Sequence, residues 1–427
     1  MPTPDTVLNR RTLLGGTAAA VAVAALPGTG RASGDSPKGL DRSVEALTDE
    51  LRDDLIALRR DLHAHPEGPG EERRTAGVVA ARLRACGLDV TTGVGGHGVV
   101  GVLRGAHPGR TVAFRADMDA VPAPDQIPGG IAAAHLCGHD LHTTVGVGVA
   151  EVLSRLRRRL HGTVVFVFQP AEEALTGAAA MLDDGVFDRV RPEEIHALHC
   201  GPFPVGTFAT TAGFGLPGRD SGAITVTGPD AAARAEELAA RIAALGTVSP
   251  PDGPEGVERL VTDFVTPDGP LAEFVYLRTR VARTDTATEV QVVFRCWPEE
   301  RYVTLRGDVD RIAREHGTTG AVFPEDPFPA MACPVEEGDA LHRFLRGTFG
   351  RERAIRMEAA VPFSGEDYAL FLDRLPGTWT FLGVRSPGAE VIDSYPHFGA
   401  FTPDENAIGH GVRAMSLWLA SRAHGRG

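Results

Sequence analysis

The sequence predicts an α/β protein: a mainly parallel-sheet domain built from both halves of the chain, with an α+β module of ferredoxin-like order inserted between them. Three observations carry this. Through residues 44–210, short continuous apolar runs alternate with segments of helical periodicity, as in sheets covered by helices on both faces. Between residues 211 and 324 the order becomes strand, helix, two strands, helix, strand, that of a βαββαβ unit. Beyond residue 325 the helix and strand alternation resumes.

Taken in order, residues 44–62 place Leu47, Leu51, Leu55, Ile56 and Leu58 at spacings of mostly three or four, the stripe of an amphipathic helix. Residues 75–86 repeat it. The apolar runs 98–103, 111–114 and 163–168 read as strands buried on both faces. Between the last two, Val145, Val149, Val152, Leu153 and Leu156 recur at helical spacing. In the inserted module, 224–226 lead into helical 231–245; 274–281 and 289–295 alternate; 302–316 read as helix. The string Pro250-Pro251-Asp252-Gly253-Pro254 marks a loop. Residues 341–349 are then helical and 378–384 a strand. The boundaries follow: 40–210 and 325–427 form the larger domain, and 211–324 the insert.

The N-terminus reads differently. Arg10 and Arg11 precede an apolar stretch from Leu13 to Leu26, followed by Pro27-Gly28-Thr29-Gly30-Arg31-Ala32-Ser33. A charged start, an apolar middle and small residues at a break describe an export signal over residues 1–33, here of twin-arginine type. A secreted or cell-envelope location is the expectation. The apolar stretch is shorter than the roughly 20 residues that span a bilayer, so stable membrane insertion is not expected. A formal charge of −13, with basic residues concentrated only in the first 15 residues and at Arg157-Arg158-Arg159, argues against nucleic acid as a partner. Five widely spaced cysteines, an odd number, do not describe a disulfide framework.

The chemistry concentrates in His135-Leu136-Cys137-Gly138-His139-Asp140-Leu141-His142, where three imidazoles, a thiol and a carboxylate share eight residues. Thiolate and neutral imidazole are ligands of zinc-class ions. Glu172 and Glu173 follow the run 166–171 directly, where a strand ends and the chain turns. Adjacent side chains diverge, so one carboxylate can bind metal while the other faces a substrate. His199 ends another apolar stretch. Like Arg115-Ala116-Asp117-Met118-Asp119, these groups lie just beyond strand ends, where open α/β sheets place their ligand sites.

Six motifs occur in order: Arg60 to Glu67, Arg115 to Pro122, His135 to His142, Phe168 to Glu173, Ala197-Leu198-His199, and Ser364-Gly365-Glu366-Asp367-Tyr368. Together they resemble the aminoacylase/carboxypeptidase family of di-metal peptidases, in the branch with hippurate hydrolase and indole-acetyl-amino-acid amidohydrolase. The resemblance implies two divalent metal ions per chain, zinc, manganese or cobalt, bridged by Cys137. His139 and His199 would complete one site, and Glu173 and His397 the other. It implies Glu172 as general base and Asp119 as the carboxylate that orients a ligand. The implied reaction is attack of a metal-activated water on the amide bond of a small N-acyl amino acid. A cationic site of this kind suits a small-molecule substrate carrying a carboxylate. Two other readings stand beside it: an exported dipeptidase or carboxypeptidase, and a metal-retaining binding protein.

The insert departs from this pattern. No histidine occurs between His199 and His316, so the substrate-binding histidine that relatives carry in their lid is missing. Thr284-Asp285-Thr286-Ala287-Thr288 stands where an Asn-x-x-Pro stretch is expected. Three outcomes are open: slower catalysis, a substitute donor such as Arg295 or Arg280, or a changed substrate; the retained Glu172 and ligand set favour a substitute donor or a smaller or unusual substrate. A lid that lends nothing to a neighbour leaves a homodimer permitted but not required.

Overall fold

In this computed structural model, residues 37–283, 287–324 and 326–425 are described. The export signal read at residues 1–33, and residues 284–286 of the departing segment, lie outside them. The chain begins with helices α1 (Pro37–His63) and α2 (Arg73–Ala85). Strands β1 (Asp89–Val94), β2 (Gly98–Arg104) and β3 (His107–Asp117) follow. Helix α3 (His139–Arg155), strand β4 (His161–Gln169), helix α4 (Gly177–Asp183) and strands β5 (Glu194–Pro204) and β6 (Phe208–Thr210) complete this part. The middle holds β7 (Gly215–Leu216), β8 (Asp220–Val226), α5 (Ala231–Ala243), α6 (Pro254–Asp263), β9 (Phe274–Arg283), β10 (Thr288–Trp297) and α7 (Arg301–Glu315). The last part runs β11 (Met331–Ala332), α8 (Val335–Phe349), β12 (Ala354–Arg356), α9 (Ala369–Leu372), β13 (Gly377–Arg385) and α10 (Asn406–His424).

Eight strands form one sheet in the order β1-β2-β4-β3-β5-β13-β6-β12. Its centre, β4-β3-β5-β13, is parallel throughout. Strand β4 shows why the apolar runs are continuous: Val164, Phe166 and Phe168 pack into one core with α1, α3 and α10, while Val165 and Val167 join the core on the other face. Each face buries half of the strand, so no polar alternation survives. The same burial holds for β2, yet β2 runs antiparallel to both β1 and β4. Burial on two faces reports the covering layers, not the strand direction, and the sheet is mixed at its edges.

The middle module has its own core, in which α5 and α7 cover a three-stranded sheet ordered β8-β10-β9. Among the described residues the final strand of the βαββαβ order is reduced to isolated bridges, Ala223 with Val322 and Arg219 with Phe328. Pro324, Pro327 and Pro329 follow Val322 and remove the amide donors a longer ladder needs. The string 250–254, read as loop, contains a helix start: Pro254 occupies the first helical position of α6, where its missing N–H costs nothing. Leu260 and Phe264 then pack into the core of the larger domain, so this segment ties the module to it.

Candidate metal centre

The residues singled out by their chemistry meet at the carboxyl ends of the parallel strands. Asp117 ends β3 and Asp119 follows it, Glu172 and Glu173 follow β4, and His199 lies in β5. His139 opens α3. Gly138, between Cys137 and His139, has φ 91°, and a Cβ there would stand 2.5 Å from the Cys200 Sγ. Only glycine lets the chain turn this tightly and bring two donors onto one pocket.

One ligand atom each from Cys137, His139 and His199 lie within 4.8 Å of one another, and so do those of Cys137, Glu173 and His397. Cys137 belongs to both groups. The Cys137 Sγ is 3.4 Å from His199 Nε2. His397 Nε2 is 3.3 Å from a Glu173 oxygen, and His139 Nε2 is 3.7 Å from the other. Glu172 stands beside them, with its carboxylate 3.8 Å from His139 Nε2.

The ring tautomers decide which nitrogens are available. His199 Nδ1 contacts the Cys200 carbonyl at 2.8 Å, His397 Nδ1 the Asp125 carbonyl at 3.2 Å, and His139 Nδ1 an Asp119 oxygen at 3.2 Å. Oxygens of these kinds only accept, so each Nδ1 carries a proton, and in the neutral ring that a metal requires each Nε2 keeps its lone pair. All three Nε2 atoms face the shared pocket. His142 is the reverse case. Its Nε2 accepts from the Cys200 amide at 2.7 Å, which makes Nδ1 the donor to Asp117 at 2.6 Å. Both nitrogens of His142 are therefore occupied. His196 is engaged at one nitrogen only, with Nδ1 2.9 Å from the Thr378 hydroxyl.

Two buried atoms of the pocket, His139 Nε2 and Glu173 Oε1, have no hydrogen-bond partner. Orphaned buried polar atoms of this kind are costly. Electrostatics point the same way. Burial pushes the Cys137 thiol well above the usual thiol range, with Glu173, Glu172 and Asp117 adding to it. Burial, then Glu366, Glu173 and Asp367, push Glu172 well above the carboxylate range. Burial drives His199 well below the usual histidine value, helped by His142 and His139. His139 moves the other way, up to about 10: burial opposes the rise, and Asp117, Asp119 and Glu173 outweigh it. Carboxylates and a thiol thus crowd a dry pocket in excess of the cations among them.

Backbone strain accompanies the geometry. His397 has φ 70°, a left-handed conformation that costs a non-glycine residue on the order of 1–3 kcal/mol. It is held there because its amide donates to the Leu136 carbonyl and its carbonyl accepts from Ile127, both at 2.8 Å. The loop that delivers His397 is thus fastened to the segment entering Cys137. The turn before Glu172 contains Ala171 at φ 51°, whose amide donates to the buried Glu72 at 2.8 Å.

One arrangement was not foreseen from the sequence. Arg115, fully buried, meets Asp117 at 2.5 Å, Glu366 at 2.9 Å and Gln169 at 2.7 Å. Gln169 in turn donates to Asp367 at 2.7 Å, and the Trp379 indole to Glu366 at 3.2 Å. The motif 364–368 is thereby docked beside Glu172 from the far end of the chain. Its recurrence was visible in sequence; its partner was not.

A parallel-centred sheet carrying thiol, imidazole and carboxylate donors at the carboxyl ends of its strands defines a metal-dependent hydrolase. Residues 113–420 match peptidase family M20/M25/M40, and the chain belongs to that family. Thermostable carboxypeptidase 1 of Saccharolobus solfataricus is 30% identical over 402 residues, covering 88% of this chain and 97% of its own. N-acetyldiaminopimelate deacetylase of Enterococcus faecalis is 28% identical over 385 residues, covering 87% and 98%. A solved structure described as a dinuclear metal-binding peptidase of this family from Bacillus subtilis shares the fold, with a TM-score of 0.65 over 88% of this chain and 99% of its own at 24% identity.

Proposed function

We propose that this chain hydrolyses the amide bond of a small N-acylated amino acid, with Glu172 as general base. The observation that carries the reading is the convergence of three Nε2 atoms, the Cys137 thiol and the Glu173 carboxylate on one pocket, with the Glu172 carboxylate beside His139 and Glu173. Cys137, His139 and His199 would hold one divalent ion, and Cys137, Glu173 and His397 a second. The donor set suits zinc, and manganese or cobalt also accept it. When bound, such ions supply Lewis-acid activation of water and of the scissile carbonyl.

The chain's own groups do the rest. Glu172, beside the donor groups, is placed to accept the proton of the attacking water as the water oxygen bonds the carbonyl carbon. It returns that proton to the nitrogen as the C–N bond breaks, leaving an acid and an amine. Asp119 receives the Nδ1–H of His139 and the Glu173 amide, at 3.2 and 2.9 Å, and so orients both side chains.

The middle module acts as a lid in this reading, and its contribution comes from Arg295 rather than Arg280. Arg280 is exposed on β9. Arg295 on β10 is half-buried and packs against Gly365, next to the loop that carries Glu366. Burial and Arg219 bring its guanidinium down to about 10, while Glu172 pulls the other way. A cation so placed replaces the missing lid histidine as partner for a substrate carboxylate or a developing oxyanion. It comes from the same chain, which supports a site complete in one subunit. The relatives named a deacetylase and a carboxypeptidase support acyl-amino acid and peptide substrates respectively.

Metal analysis of the protein, combined with parallel assays on N-acyl amino acids and dipeptides, tests the proposal. We expect two ions per chain, faster turnover of acyl amino acids, and loss of activity with lowered stability on chelation. Full activity in metal-free protein would refute it.

A further inference from the structure

Two buried carboxylates fasten the turn that presents Glu172. Asp119 accepts the Glu173 amide at 2.9 Å, and Glu72 accepts the Ala171 amide at 2.8 Å. Glu172 stands between these two anchored peptide groups. Glu72 comes from 99 positions before Ala171 in the chain, where it directly precedes α2 and is fully buried. Its Oε1 takes the Gly70 amide as well, also at 2.8 Å, and its Oε2 has no hydrogen-bond partner among the described residues. Burial pushes its carboxyl above the usual carboxylate range, and the Ala171 amide is the strongest influence in the other direction. A dry carboxylate with one oxygen unpaired is unfavourable in itself.

What the paired oxygen holds is a strained turn. Ala171 has φ 51° and Leu175 φ 55°, left-handed conformations that a residue bearing a Cβ adopts at a cost. The turn closes on itself through the Leu175 amide on the Glu172 carbonyl at 2.7 Å and the Gly177 amide on the Ala171 carbonyl at 3.2 Å. Neither bond uses the Ala171 amide, and among the described residues Glu72 is its only acceptor. The loop around Glu72 is itself fixed. The Glu67 carboxylate accepts the Arg74 and Thr75 amides of α2, and the Glu67 carbonyl accepts the Ala120 amide, each at 2.8 Å. One loop therefore indexes two strand ends, the one after β3 that carries Asp119 and the one after β4 that carries Glu172.

We propose that Glu72 is a positioning residue for the hydrolysis: through the Ala171 amide it fixes the backbone from which Glu172 reaches the attacking water. The inference rests on Glu172 as general base. Proton transfer needs heavy atoms about 2.6–3.2 Å apart, and a misplacement of about 1 Å costs on the order of 10²-fold in rate. Loosening the turn is therefore felt in kcat, while the donors that hold metal and the groups that bind substrate keep their places. Glutamine at position 72 retains the accepting oxygen. Methionine fills the same space without a strong acceptor.

The test compares the parent, Glu72→Met and Glu72→Gln as metal-loaded full chains, reading kcat and KM on a panel of N-acetyl amino acids, metal content, and hydrogen exchange of the Ala171 amide. Glu72→Met should lower kcat by about 10–10²-fold with KM within about threefold of the parent and metal content unchanged. Its Ala171 amide should exchange at least ~10-fold faster. Glu72→Gln should restore both kcat and protection to within about threefold of the parent. Should Glu72→Met not fold, Glu72→Asp, which withdraws the acceptor by one methylene, takes its place with the same expectations. Parental kcat in Glu72→Met, or Glu72→Gln as slow as Glu72→Met, overturns the positioning while leaving the hydrolysis standing. A parent that turns over no member of the panel counts against the hydrolysis instead. The exchange measurement needs no turnover, and equal exchange of the Ala171 amide in parent and Glu72→Met overturns the proposal whatever the substrate.

Discussion

Replacing Glu172 by glutamine removes one negative charge and one proton acceptor while leaving the side-chain volume almost unchanged. Losing a general base costs about 10²–10⁴-fold in rate. The surroundings place this variant in the upper part of that range, because no neighbour can take over. Glu366 is held by Arg115, Trp379 and the Tyr368 amide, and Asp367 by Gln169 and the Ala178 amide. Glu173 faces His397 and His139. We therefore expect turnover of an acyl amino acid to fall by at least ~10³-fold, about 4 kcal/mol of transition-state stabilisation, with metal content unchanged. Stability should move the other way. The Glu172 carboxyl is raised in the folded state by burial and by Glu366, Glu173 and Asp367. The unfolded chain therefore releases this proton first, and metal-free protein loses stability as pH rises above about 4.3, the free glutamate value. Glutamine abolishes that loss, so metal-free Glu172→Gln should melt higher than the parent at pH 7 and equally at pH 4. Parental turnover in Glu172→Gln would refute the assignment of the base. A lower melting temperature would refute the electrostatic account.

Three further outcomes follow from the same structure. Arg295→Ala should lower kcat/KM by about 10²–10³-fold, the effect of removing an oxyanion donor elsewhere, whereas Arg280→Ala should leave it unchanged; steady-state kinetics on one acyl amino acid checks both. Glu194 is held down to about 2: burial opposes this, and His196 and Arg422 outweigh it. Its folded value lies below the unfolded one, so its contribution is present above about pH 4.3 and is lost as pH falls towards 2. Glu194→Gln should then cost roughly 2–3 kcal/mol at pH 7 and little near pH 2 by denaturant titration. Changing Arg10 and Arg11 together to lysine should leave precursor in the cytoplasm, and cell fractionation showing unaltered export would mean that the pair is not read as a signal.

The sequence by itself determined the fold class, because hydrophobic periodicity reports local burial directly. The stripe of Leu47, Leu51, Leu55 and Leu58 and the unbroken run 163–168 each follow from which faces of one element meet the core. It also identified the donor types, since a thiol and several imidazoles in eight residues are informative before any contact is known. Direction and partnership were decided by the tertiary structure alone. Continuous burial cannot tell that β2 runs antiparallel, and a proline-rich string cannot tell that its last proline starts α6. Nor can spacing say that His142 spends both nitrogens on Asp117 and the Cys200 amide while His199 and His397 turn lone pairs inward. The availability of a histidine nitrogen depends on what its other nitrogen donates to. That partner lies 25 positions away for His142 and 272 for His397, distances along the chain that only folding brings within reach.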